Sequence, residues 1–281
     1  AKGDLAAGKG TLLLDVNADQ TKIVTGANAG TVLLTAGKLA DKDGKAQTVT
    51  ITDLDTATTA TTADTIVVGG ANDLVITKLT GTAGELISAT THTGKLTIND
   101  FTANTKVFSG SNDDTFKVST AGASLEITSG AGNDTVDLSA SNVTHTINLG
   151  EGDDTVITSA GANKITLGAG KDTVIIDTAK GGAIIADAVI GQDKIILTGA
   201  ATAGTAVNVA ALGTITAGSY ATAFGANHAF TLTGSTASDL SGLVQFGKQA
   251  VAATATTAAV AEAAYAAAVN VALTTGSFND V

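Results

Sequence analysis

The sequence predicts an all-β fold, a parallel β-roll or β-helix solenoid, with one Ala-rich helix near the C-terminus. A loop signature returns at nearly fixed spacing: Gly130-Ala131-Gly132-Asn133-Asp134, Gly150-Glu151-Gly152-Asp153-Asp154 and Gly168-Ala169-Gly170-Lys171-Asp172, its aspartates 20 and then 18 residues apart. That spacing is one coil of a stacked structure in which like positions come into register. Side-chain roles also recur in phase. The second residue after the loop aspartate is Phe116, Val136, Val156, Val174 or Ile195, and the fourth is Val118, Leu138, Thr158, Ile176 or Leu197. Two inward positions separated by an outward one are the period of a half-buried strand. Finally, Ile127, Ile147 and Ile165 each stand three residues before a loop, so every coil offers two strands and two bends.

Taken in order along the chain, residues 1–44 read as a strand-rich N-terminal segment. Residues 45–198 read as the solenoid, clearest over 107–198. Run backwards, the phase passes through Gly69-Gly70-Ala71-Asn72-Asp73 and the turn at Thr93-Gly94 to Asp53. The Thr-rich stretch 56–65 suits an outer wall, since β-branched residues fit a pleated surface. Residues 199–281 form a mixed C-terminal region, with strand-like runs at 229–233 and 243–246. Within it, 249–273 reads as a helix because alanine dominates and the pattern ends near Gly276.

The loops have the chemistry of a hard-cation site. Glycine at the first and third positions lets the backbone curl and aim carbonyl oxygens at one centre. The aspartate adds carboxylate oxygen, and the next coil supplies the same set from the other side. Oxygen-only sites of this kind suit Ca²⁺ better than a transition metal. The candidate ligating positions are therefore Gly130, Gly132, Asp134, Gly150, Gly152, Asp154, Gly168, Gly170 and Asp172. Gly110, Asn112 and Asp114 form a variant in which asparagine, tolerant of the left-handed region, replaces the second glycine. Asp193 closes the series.

On these residues the chain resembles the RTX (repeats-in-toxin) or haemolysin-type calcium-binding β-roll family, with Gly191-Gln192-Asp193-Lys194-Ile195-Ile196-Leu197 similar to the closing turn of such arrays. The resemblance covers about 107–198 well and 45–106 faintly. In the family the loop recurs about every nine residues, so both edges of the roll bind calcium. Here the opposite bends, such as Ala121-Gly122-Ala123 and Ala160-Gly161-Ala162, lack the aspartate. The expectation is one calcium-bearing edge and one dry edge. The resemblance further implies secretion from a Gram-negative bacterium by a one-step export route and folding on contact with external calcium. Members include toxins, proteases, lipases, adhesins and surface-layer proteins.

Composition bounds the function. The 281 residues carry a formal net charge of −11, and every one of the 15 basic residues is lysine. That balance disfavours nucleic acid or an anionic membrane as partner and favours cations. With no cysteine, neither disulfides nor thiolate sites hold the fold. No run is long and apolar enough for a membrane span. The chain opens at Ala1 without an initiator Met, which fits a processed product or a segment of something longer. No His-Glu-x-x-His, Gly-x-Ser-x-Gly or cysteine nucleophile is present, so no enzyme is expected. The acidic turns at Asp15–Asp19 and Asp41–Asp43 read as solvated bends, and His92, His145 and His228, which share no ligand spacing, as surface or wall residues. The expected role is an extracellular, cell-surface structural protein whose copies assemble into a layer, filament or matrix fibre, with cell-surface polysaccharide as a further partner. The alternative is a calcium-dependent folding or export module of a larger toxin, adhesin or hydrolase.

Overall fold

The computed structural model describes residues 10–198 apart from 26–28, 38–46, 57–62, 82–83, 120, 178–179, 181 and 190–191. Beyond 198 it describes only the backbone of the strands Ala206–Val209, Gly213–Thr222, Gly225–Thr233, Val244–Phe246 and Ser277–Asn279. The helix expected at 249–273 lies outside the described residues, as do Asp41–Asp43 and the side chain of His228.

Two sheets face each other, and from Gly10 to Val209 the chain alternates between them, save that the short Leu79–Thr80 follows Asp73–Ile76 in the same sheet. From Gly10 to Thr198 every pairing between strands is parallel. Right-handed twist and the period-two pleat permit this stack because each coil repeats the inward set of the one before. In one sheet Val107, Ile127, Ile147, Ile165 and Ile185 lie in register. In the other, Ile98, Phe116, Val136, Val156, Val174 and Ile195 do the same. All are buried. Each such side chain contributes about 1.5–3 kcal/mol relative to exposure, which makes these two columns the main apolar support of the roll. The threonine after Asp114, Asp134, Asp154 and Asp172 points outward, and Thr115, Thr135, Thr155 and Thr173 with Thr97 form a half-buried column on the outer face.

The ladder reaches further back than the phase of the loops suggests. Gly10–Val16 pairs with Ala29–Ala36, and Gln20–Val24 with Thr48–Asp55, so strands of the 1–44 segment are the first rungs of the same two sheets. Asp53 is no loop aspartate. It lies within the strand Thr48–Asp55, half-buried, and its carboxylate meets Lys22 Nζ at 3.1 Å and the Thr80 hydroxyl at 2.9 Å. Asp19 is indeed a turn residue, accepting the Thr50 N–H at 2.9 Å. Two of the strand-like runs after 199 are strands, Gly225–Thr233 and Val244–Phe246. The ladder becomes antiparallel where Ala206–Val209 meets Gly213–Thr222.

Candidate metal centre

The loops stack directly upon one another, and backbone proximity dictates their glycines. Gly150 has φ of 104°, and a Cβ there would stand 2.0 Å from Gly130 O. Gly152, with φ of 131°, would place its Cβ 2.0 Å from Gly132 O. No side chain fits at either spacing, and L-residues avoid that φ. Gly130, Gly132, Gly168 and Gly170 repeat both features. Gly110 shares the crowding, its Cβ falling 2.2 Å from His92 O.

The loop aspartates form a column inside the edge. Asp114, Asp134, Asp154, Asp172 and Asp193 are all buried. Each Oδ1 accepts a backbone N–H from the coil before. Asp114 takes Leu96 N–H at 2.7 Å, Asp134 takes Asp114 N–H at 2.7 Å, and Asp154 takes Asp134 N–H at 2.6 Å. Asp172 takes Asp154 N–H at 2.9 Å, and Asp193 takes Asp172 N–H at 3.0 Å. One oxygen of each carboxylate therefore belongs to the ladder.

The other oxygen differs from coil to coil. Among the described residues, Oδ2 of Asp134, Asp154 and Asp172 is buried and meets no hydrogen-bond donor. A buried charge left in this state is costly. Burial accordingly pushes Asp134 up to about 8, with the charge of Asp114 adding to it, and pushes Asp154 and Asp172 up to about 6. Such an oxygen requires either a proton or a cation.

A second ladder runs along the outside of the loops in the opposite sense, an arrangement that the choice of aspartates and glycines missed. Asp113 Oδ1 accepts Asn133 N–H at 2.7 Å, Asn133 Oδ1 accepts Asp153 N–H at 2.7 Å, and Asp153 Oδ1 accepts Lys171 N–H at 2.8 Å. The signal was the Asp or Asn that directly precedes Asp114, Asp134 and Asp154. Here the earlier coil accepts from the later one.

The opposite edge uses the same device, with neutral acceptors in the coils around His145 and Asn163. His145 Nδ1 accepts Leu125 N–H at 3.1 Å, and Asn163 Oδ1 accepts His145 N–H at 3.2 Å. Because Nδ1 accepts, Nε2 carries the proton and donates to Ser141 Oγ at 2.8 Å. Burial pushes His145 down to about 4. Neither His92 nor His145 is a surface residue; both are buried at bends. Lower in the stack, Glu85 Oε2 accepts Asp64 N–H at 3.0 Å on this edge.

Calcium fits the loop edge. No group of three or more His, Cys, Asp or Glu able to share an ion occurs among the described residues. An ion there must combine the unpartnered oxygen of Asp134, Asp154 or Asp172 with loop carbonyls, an oxygen-only set of the type that calcium accepts. The residues that would hold it are those aspartates with the backbone of Gly110, Gly130, Gly132, Gly150, Gly152, Gly168 and Gly170. Once bound, it would offset the carboxylate charge between coils.

Residues 146–175 match the family model described as RTX calcium-binding nonapeptide repeat (4 copies). The matched stretch contains the loops at Gly150 and Gly168, and it is narrower than the region over which the loop motif recurs. No curated protein and no solved structure is significantly similar to the chain.

Proposed function

We propose that this RTX-type calcium-binding β-roll is a structural protein whose copies assemble, outside the cell, into a surface layer, filament or matrix fibre. Proteins with such repeats bind calcium and are typically secreted. The observation that carries the reading is the end of the stack among the described residues. Gly10–Val16 and Gln20–Val24 are the terminal strands of the two sheets among the described residues, each with one edge that no described strand pairs. Leu13, 73 % exposed on that first rung, leaves an apolar side chain in the open. Exposed parallel edges recruit further strands, and stacking of identical ends in one direction does not close.

Calcium then acts through shape. It fixes the loop edge of every copy and so the geometry with which copies meet, and the protein itself performs no catalysis. Cell-surface polysaccharide is the partner that would tether such an assembly. Among the described residues no helix is long and apolar enough to cross a membrane.

Negative-stain microscopy of the purified chain with calcium and again with chelator tests the reading. Ordered multimers that form with calcium and disperse on chelation support it. A calcium-loaded chain that stays monomeric at high concentration refutes it and favours the alternative, a folding or export module of a larger secreted protein.

A further inference from the structure

Five loop aspartates each face the coil before them across a gap, and the five gaps are equipped differently. In the middle three, ahead of Asp134, Asp154 and Asp172, the second carboxylate oxygen is buried and meets no donor. At both ends the protein supplies one. The Ser109 hydroxyl donates to Asp114 Oδ2, and in the same loop the Asn112 amide donates across the gap to Thr93 O. At the far end Val189 N–H donates to Asp193 Oδ2 at 2.7 Å, and the Gln192 amide donates to Gly170 O.

Each end thus pairs a donor on the carboxylate with a side-chain amide on a loop carbonyl. Donor hydrogens carry positive charge toward the same oxygen types that a calcium ion takes, so a gap filled by them has no need of the ion. Asn72, whose amide donates to Ala36 O at 2.9 Å, repeats the amide half of the device lower in the stack. The middle gaps do not copy it in full, although the Ser129 hydroxyl also reaches Asp134. Ser129, the equivalent of Ser109, gives its proton to Leu149 O at 2.7 Å, and Leu149 and Leu167 hold that place in the next two coils.

We infer that the calcium column is plugged at both ends by the protein's own donors and takes ions only in the three inner gaps, one each at Asp134, Asp154 and Asp172. Asn112 and Gln192 end the metal column while the strands continue past it, through Leu96–Ile98 on one side and Lys194–Thr198 on the other. The column's length is then written in its terminating residues, and counting loop aspartates overstates it.

Calcium stoichiometry of the full chain, measured by equilibrium dialysis and by native mass spectrometry, tests this. The expected count is three. D114N and D193N keep three, because the asparagine oxygen still accepts the Leu96 or Asp172 N–H, whereas D154N holds fewer. A count above three in the unaltered chain, or an ion lost from D114N or D193N, overturns the inference. The unaltered chain alone decides if a variant fails to fold.

Discussion

Asp154 accepts the backbone N–H of Asp134 at 2.6 Å through one carboxylate oxygen, while its other oxygen is buried and meets no donor. The same side chain is thus half a rung of the β stack and, through its other oxygen, a candidate for half an ion site. Removing the ion and removing the side chain are different perturbations, which makes their consequences separable.

Acid should substitute for calcium. Asp134, Asp154 and Asp172 have folded-state values raised to about 8, 6 and 6 from 3.8, so the folded chain binds more protons than the unfolded one between those limits. Their contribution to the stability of the metal-free protein is complete below 3.8 and is lost as pH rises through 6 and then 8. Ionising Asp134 inside the metal-free fold costs up to about 6 kcal/mol. Thermal unfolding in chelator should give a falling Tm from pH 5 to pH 8, and saturating calcium should abolish the fall. A metal-free Tm that rises over that range would contradict the account.

D134N should reverse sign with calcium. Asparagine keeps an oxygen for the Asp114 N–H but carries no charge, so in chelator at pH 8 the variant gains up to a few kcal/mol over the unaltered chain. In saturating calcium it loses stability instead, because its gap no longer holds an ion. Paired denaturant titrations of both proteins would show the crossover, and a variant that ranks the same way in both conditions would exclude it.

Alanine at Gly152 should cost far more than at Gly122, although both have positive φ. Gly122 has φ of 102°, and a Cβ added there would meet nothing within 4 Å, so G122A bears only the backbone term, about 1 kcal/mol. At Gly152 the Cβ falls 2.0 Å from Gly132 O, and the coils must part. A loss of about 3 kcal/mol or more is expected, together with weaker calcium binding. Equal losses in the two variants would mean that the stacking contact is unimportant.

The opposite edge should respond to pH in the other direction. His145 is held neutral, its value lowered to about 4 from 6.5 by burial, so its contribution is present above 6.5 and is lost as pH falls toward 4. About 3 kcal/mol depends on it. With calcium saturating, stability should therefore decline below pH 6.5, and H145N, which retains an acceptor for Leu125 N–H, should flatten the decline. Persistence of the full decline in H145N would assign it elsewhere.

The inward columns and the loop edge were legible because they repeat one residue type at one offset: Ile127, Ile147 and Ile165, or Asp134, Asp154 and Asp172. The first coils were not, since Asp53 mimics the spacing while serving as a strand residue paired with Lys22. Spacing alone cannot distinguish a bend aspartate from a wall aspartate when coil lengths vary. The opposite edge was hidden for another reason. Asn163 and His145 accept the same kind of N–H, so the role is kept along the stack while the residue changes, and a search for repeated letters passes over it. The plugs at Ser109 and Gln192 were equally invisible, because each is defined by the oxygen it meets across a gap.

The two edges of the roll are laced by chemically unlike means, carboxylates on one side and neutral acceptors around His145 and Asn163 on the other. Were calcium to draw coils together along the loop edge alone, the stack would curve as a bimetallic strip does, and small-angle scattering with and without chelator should register that bend.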